Sequence, residues 1–252
     1  MTQAFRTLFR RELGAYFLSP AGYLVIAIVL LLLGISFWGI LKDLNVAELT
    51  DAPITEQFFV SYYFWMILLL TTPIITMRLF AQERTAGTFE TLLTAPVRDL
   101  EIVLAKFSAA LLFYLITWLP LSLHLWTVRR YSNDPTVLTW GSLLTTFLGV
   151  GLVGSAFVAL GCLASALTRS QAVAAMLSYG FGVGLFLLGM RAVTGTSTGS
   201  FGSQFFEYLS LTDHLERFAR GIVDTRPIVF YTSLTIFVLF LTHQAIRSQR
   251  WR

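Results

Sequence analysis

Apolar residues in this chain come in long, nearly unbroken runs, separated by short polar segments. Six runs stand out, at 21–41, 58–77, 103–126, 138–167, 172–190 and 227–245. Crossing about 30 Å of hydrocarbon takes about 20 helical residues, so each run predicts a membrane-spanning helix. The expected fold class is therefore an all-α integral membrane protein with six transmembrane helices. The fourth run is long enough to tilt or to end in an interfacial turn.

Between the runs the pattern changes. In 1–20, Phe5, Leu8, Phe9, Leu13, Tyr16 and Phe17 recur at helical spacing while Arg10 and Arg11 point elsewhere, which predicts an interfacial helix lying in the headgroup layer. Arg6 and Glu12 interrupt its apolar face, and a soluble core helix is the competing reading. The Ser19-Pro20 step ends that helix and opens the next.

The segment 78–102, between the second and third runs, reads as structure. Gly87 can end a helix continuing from the membrane, Thr88 can cap a new one, Glu90 suits its positive first turn, and Pro96 stops it. A helix of about two turns is unstable alone in water, and Phe89, Leu92 and Leu93 give it an apolar face for a partner or for the lipid interface. A solvated connector would not need those three side chains together. The segment 191–226 moves from a Gly, Ser and Thr stretch over 194–203 to Phe205, Phe206, Tyr208, Leu209, Leu211, Leu215, Phe218 and Ile222, too apolar for a solvated loop. Asp213 can cap a short helix, with Glu216 reaching back, Arg217 and Arg220 complementing its end, and Gly221 closing it. These residues predict short re-entrant helices dipping into the outer leaflet as a gate built on Asp213, His214, Glu216, Phe218 and Gly221.

Composition narrows the class. Of 252 residues, 56% are hydrophobic and only 13% charged, with a mean hydropathy of +0.70. Soluble domains carry roughly 25% charged residues, so a soluble enzyme of this size is disfavoured. The net charge of +4 is spread over the short segments between runs, with no basic patch for nucleic acid. With both termini inside, the inner segments hold 11 basic and 5 acidic side chains, and the outer ones 7 basic and 9 acidic. The positive-inside rule then places both termini in the cytoplasm. The N-terminus lacks the short apolar core of a cleavable signal and is read as retained.

Small residues repeat every four positions in the fourth run (Gly151, Ser155, Ala159) and the fifth (Ala172, Met176, Gly180, Gly184, with Ala174, Ser178 and Gly182 beside them). Such stripes let helix backbones approach closely, which makes Gly151, Ser155, Gly180 and Gly184 candidate packing positions. Pro73 and Pro120 predict kinks, with Thr72, Thr76, Thr117 and Ser122 near enough to satisfy freed carbonyls. Reaction chemistry is sparse. Cys162 is the single cysteine, so no disulfide or cysteine metal site forms within the chain. His124, His214 and His243 lie on separate segments without HExxH pairing, and no GxxxxGK[ST] sequence occurs. Lys106, His124 and Arg191 lie near run ends, where snorkelling accounts for them. Ion-coupled transporters keep charges inside their spans, and these spans have none centrally. No catalytic, cofactor-binding or metal residue is expected, and the chain is not expected to be an enzyme.

Glu83-Arg84-x-x-Gly87-Thr88-x-Glu90-x-Leu92-Leu93-x-x-Pro96, preceded by Arg11-Glu12-Leu13-x-x-Tyr16-Phe17-x-Ser19-Pro20, resembles the permease subunits of type-two ABC exporters. The nearest branch comprises gliding-motility-associated and nitrous-oxide-reductase-maturation permeases. The likeness covers essentially the whole chain, including His214-x-x-x-Phe218-x-x-Gly221-Ile222-Val223-Asp224 and the Arg-rich tail. It implies one permease domain over 1–252: interfacial helix 1–20, spans one and two in 21–77, coupling segment 78–102, spans three to five in 103–190, outer gate 191–226, and the sixth span with a basic tail in 227–252. It implies that Thr88, Phe89, Glu90, Leu92 and Leu93 dock on a cytosolic ATPase present in two copies, and that Phe9, Arg10, Arg11, Leu13 and Tyr16 form the interfacial helix. A second permease subunit, membrane lipid and an outer-face auxiliary protein are the other expected partners. ATP and Mg would sit on the ATPase, and the location would be a bacterial inner membrane, with a pathway between two permease subunits near the second and fifth spans. A stand-alone secondary transporter or channel, and a membrane-embedded enzyme, are the rival readings.

Overall fold

The computed structural model describes residues 3–46, 56, 58–59, 61–89, 97–131, 139–194 and 209–250. These form helices α1 (Gln3–Phe17), α2 (Pro20–Val46), α3 (Tyr62–Thr76), α4 (Ala81–Thr85), α5 (Asp99–Tyr131), α6 (Trp140–Leu167), α7 (Gln171–Thr194), α8 (Leu211–Ala219) and α9 (Thr225–Arg250), with no strand among the described residues. Among the described residues six stretches are long and apolar enough to cross a membrane: Pro20–Lys42, Tyr62–Thr85, Asp99–Arg130, Trp140–Leu167, Gln171–Gly189 and Thr225–Ser248. Each expected run has its helix, because lipid forces every spanning segment to satisfy its own backbone over a fixed thickness.

The spans sort into two layers. Within α3, α5 and α6 the apolar stretches are 67%, 61% and 61% buried, against 28%, 22% and 28% in α2, α7 and α9. α6 is the centre and touches α3, α5, α7, α8 and α9. Its glycines make this possible. A Cβ on Gly154 would lie 2.0 Å from the Tyr114 ring of α5, and one on Gly161 would lie 2.0 Å from Thr76 Oγ1 of α3. On another side of α6, Gly151 faces Leu115 and the Ser155 hydroxyl pairs with that of Thr235 on α9 at 3.1 Å.

Three expectations need correction. In α7 the buried small residues include Ala174, Ser178 and Gly182, whereas Gly180 and Gly184 are exposed with nothing within 4 Å of an added Cβ among the described residues. Gly180 and Gly184 therefore pack on none of the described residues, since the adjacent row turns toward α3 and α6. Lys106 does not snorkel: its side chain is 2% exposed and ion-paired. Finally, α3 and α5 continue through Pro73 and Pro120, and the nearby hydroxyls do not serve the carbonyls those prolines free. Thr72 and Thr76 bond back to Leu68 and Thr72, and Thr117 and Ser122 to Tyr114 and Leu119. Each hydroxyl reaches back along its own helix, so local geometry wins over the proline vacancy.

Candidate functional site

The densest polar structure lies at one end of the bundle, where α1, the α3–α4 turn, the start of α5 and the α6–α7 junction meet. Here α3 stops at Thr76 and the chain turns through 77–80 before α4, leaving backbone groups without helical partners. Ser165, buried on α6, serves three of them: its Oγ accepts from Phe80 N–H at 3.0 Å and Ala81 N–H at 3.1 Å, and donates to the Met77 carbonyl at 3.1 Å. On α4, the Thr85 hydroxyl donates to the Arg169 carbonyl at 2.6 Å and Arg84 to the Thr168 carbonyl at 3.2 Å. A five-residue helix is thus held by the chain linking α6 to α7.

α4 ends as expected at Gly87. With φ at +69°, Gly87 takes the left-handed conformation while Gly87 N–H bonds the Arg84 carbonyl and Thr88 N–H bonds the Glu83 carbonyl, a Schellman closure. Thr88 is exposed, and Phe89 is buried with the Arg84 guanidinium 4.9 Å over its ring. Glu90, Leu92 and Leu93 lie outside the described residues.

From the other side α1 closes over this turn. Arg10 and Arg11 are exposed, Phe9 and Leu13 half-buried and Tyr16 buried, so the apolar stripe faces the bundle. Glu12 falls on that stripe and has a partner there. Its Oε1 lies 3.0 Å from Lys106 Nζ and 2.6 Å from Arg11 Nη2. Glu83 Oε1 of α4 lies 3.0 Å from the same Nζ and 2.8 Å from the same Nη2. Two carboxylates and two cations alternate in a closed ring joining α1, α4 and α5. Burial alone would raise the Glu12 pKa, but Lys106 and Arg11 outweigh it and hold the carboxyl below its usual range. Beside the ring is a cleft of about 380 Å³, lined in part by Tyr16, Arg78 and Gln82.

The opposite end carries the second candidate region. α8 packs Leu211, Leu215, Phe218 and Ala219 onto α6 and α7. Its cap is Ser210, whose Oγ accepts from Asp213 N–H at 3.4 Å, and not Asp213, which sits in the first turn. The helix starts earlier than expected because Leu211 belongs to the buried face. Gly221, at φ +84°, closes α8 as expected: its N–H bonds the Phe218 carbonyl, and that of Ile222 bonds the Arg217 carbonyl. The Thr145 hydroxyl of α6 also donates to the Phe218 carbonyl, at 2.6 Å. Arg220 grips buried Glu56 with two nitrogens, one at 2.8 Å. Glu216 is half-buried, and burial with the neighbouring Asp213 and Glu56 charges raises its pKa.

His214 is buried in α8, its Nδ1 3.4 Å from the Tyr231 hydroxyl of α9. Burial pushes its pKa down to about 4, so the ring is neutral near pH 7. Asp213 beside it points to a different face, and among the described residues no cluster of His, Cys, Asp or Glu could hold a metal. The half-buried His124 of α5 stacks on the half-buried Phe37 of α2 at 4.8 Å.

Sequence reasoning missed Glu12, Glu83, Lys106 and Ser165 as a set. The signal available was Glu12 itself, a carboxylate inside an apolar stripe, which demands a cation from another element.

Among known families, the model described as ABC-2 family transporter protein matches residues 44–244 of the chain. No curated protein matches it.

Proposed function

The chain belongs to the ABC-2 transporter family, and from that premise we propose that it is the permease subunit through which a separate cytosolic ATPase drives export or transmits force across a bacterial inner membrane. The observation that carries this reading is the anchoring of α4. A five-residue helix leading into the segment 88–94 is fixed at once to α1, α5, α6 and the α6–α7 junction. A solvated connector has no need of such anchorage. A segment that receives a push does.

In this reading the α1 end faces the cytoplasm with both termini, in line with the excess of basic residues there. Thr88, Glu90, Leu92 and Leu93 dock on one ATPase of a pair, with Phe89 expected at that face but buried in this chain and so an anchor for the segment, and ATP and Mg are held by that partner. A second permease subunit completes the pathway. α8, with Asp213, His214, Glu216, Phe218 and Gly221, closes it on the outer side. The gliding-motility and nitrous-oxide-reductase-maturation branch is the nearest by motif.

The test is Leu92→Asp in a complex purified with its ATPase. Burying a Leu at a docking face is worth roughly 1.5 to 3 kcal/mol, so ATPase affinity or coupling falls at least about tenfold while membrane insertion is unchanged. An intact complex with normal ATP hydrolysis overturns the assignment.

A further inference from the structure

The helical ladder of α3 stops at Thr76 and the chain turns before α4, so a displacement beyond Gly87 reaches the spans through side chains as well as backbone. The ring of Arg11, Glu12, Glu83 and Lys106 is the charged part of that route. Glu83 lies on α4, three residues before its end cap, and Glu12 lies on α1. Neither carboxylate is bonded to the other's helix except through a cation. Arg11, itself on α1, is 53% exposed, and water screens its contribution. Lys106 is 2% exposed and belongs to α5. Withdrawing either carboxylate from it leaves a buried charge short of a partner, which is far costlier than an exposed pair separating. The ring therefore resists partial opening.

We propose that Lys106 is a positioning residue that makes α1 travel with the coupling segment. With the ring closed, α1, α4 and the adjoining end of α5 move as one body, and a push delivered beyond Gly87 displaces the surface helix together with the spans. This inference rests on the coupling role proposed above for 88–94.

The experiment has two arms. In the permease alone, in lipid nanodiscs, amide hydrogen exchange over Gln3–Phe17 is compared among the parent, Lys106→Met, Lys106→Arg and Glu83→Gln. Exchange in α1 is expected to rise about tenfold or more in Lys106→Met and Glu83→Gln, and to stay near the parent in Lys106→Arg, which keeps the charge. In the complex with the ATPase, spin labels at Thr7 and at Arg98 are each paired with one at Ser248, and distances are read with and without trapped nucleotide. Both labels are expected to shift in the parent, and only the Arg98 label in Lys106→Met. Unchanged α1 exchange in both charge-removing variants overturns the proposal. So does a Lys106→Arg no better than Lys106→Met, or a Thr7 label that still shifts in Lys106→Met. If Lys106→Met fails to insert, Glu83→Gln decides both arms. Failure of any ATPase to assemble would sink the coupling role and the transmission with it, while the exchange arm would still report whether the ring holds α1.

Discussion

The Tyr16 hydroxyl donates to the Ile75 carbonyl at 2.8 Å, fastening α1 to the last turn of α3. The turn creates the need, because Leu79 N–H bonds the Thr76 carbonyl and leaves that of Ile75 without its in-helix donor. The same ring stacks on Phe113 of α5 at 4.6 Å and carries the Arg78 guanidinium 4.0 Å over its face.

Tyr16→Phe keeps the ring and removes the donor. An unsatisfied buried carbonyl costs about 1 to 3 kcal/mol. Thermal unfolding in detergent should fall accordingly, with faster amide exchange over 77–80. An unchanged midpoint and unchanged exchange would show that the hydroxyl is dispensable.

The two glycine populations should separate cleanly. Gly154→Ala and Gly161→Ala place a methyl 2.0 Å from the Tyr114 ring and Thr76, and overpacking of this kind costs about 1 to 3 kcal/mol. Gly180→Ala and Gly184→Ala meet nothing among the described residues and should leave the unfolding of the isolated permease unchanged or slightly raised. Equal destabilisation at all four positions would contradict the packing described.

His214 makes α8 sensitive to acid. Its pKa is about 4 in the folded segment against 6.5 for the free side chain. Above 6.5 both states are neutral. As pH falls from 6.5 to about 4 the unfolded segment takes up a proton that the folded one refuses, so stability is lost through that window and levels off below it. The loss is at most about 3 kcal/mol. Asp213 and Asp224 favour the charged ring, Arg217 opposes it, and the Tyr231 hydroxyl faces it from α9. Amide exchange confined to 211–221, followed from pH 7 to 4, reads the effect without interference from Glu12 at the other end. His214→Gln should flatten the profile, and an equally steep profile in that variant would assign the acid response elsewhere.

Orientation is tested by single cysteines. Asp51→Cys and Ser200→Cys should react with an impermeant thiol reagent in intact cells, and Thr94→Cys only after the membrane is opened. Cys162 is buried and stays silent. Labelling at position 94 from outside would invert the topology.

The spans could be read from the sequence because lipid imposes one length and one solvent on each of them, and no partner is needed to recognise a run such as 138–167. Gly87 and Gly221 were legible for a related reason: a left-handed closure is a local demand that glycine meets. The ion-pair ring was not, since Glu12 and Lys106 are 94 residues apart and only the fold makes them neighbours. Nor was the true cap of α8, where Asp213 alone is expected from the sequence. Ser210 and Asp213 both suit a helix start, and Leu211 decides between them only when α6 and α7 are there to bury it. The α7 glycines show the same limit, because spacing reveals a stripe but not which neighbour it meets.

The layering of the spans also bears on how the chain is made. α2 leaves the ribosome before the other spans it will touch, so it must partition into lipid without them, and it is the most apolar of the six candidate spans, with a mean hydropathy of 2.8. α9 emerges when α6 is already in place and is the least apolar, at 1.6. Its Thr235 is sheltered by the waiting Ser155 hydroxyl. A substitution at Ser155 is therefore expected to be felt first in biogenesis, as α9 segments that reach the translocon and fail to stay.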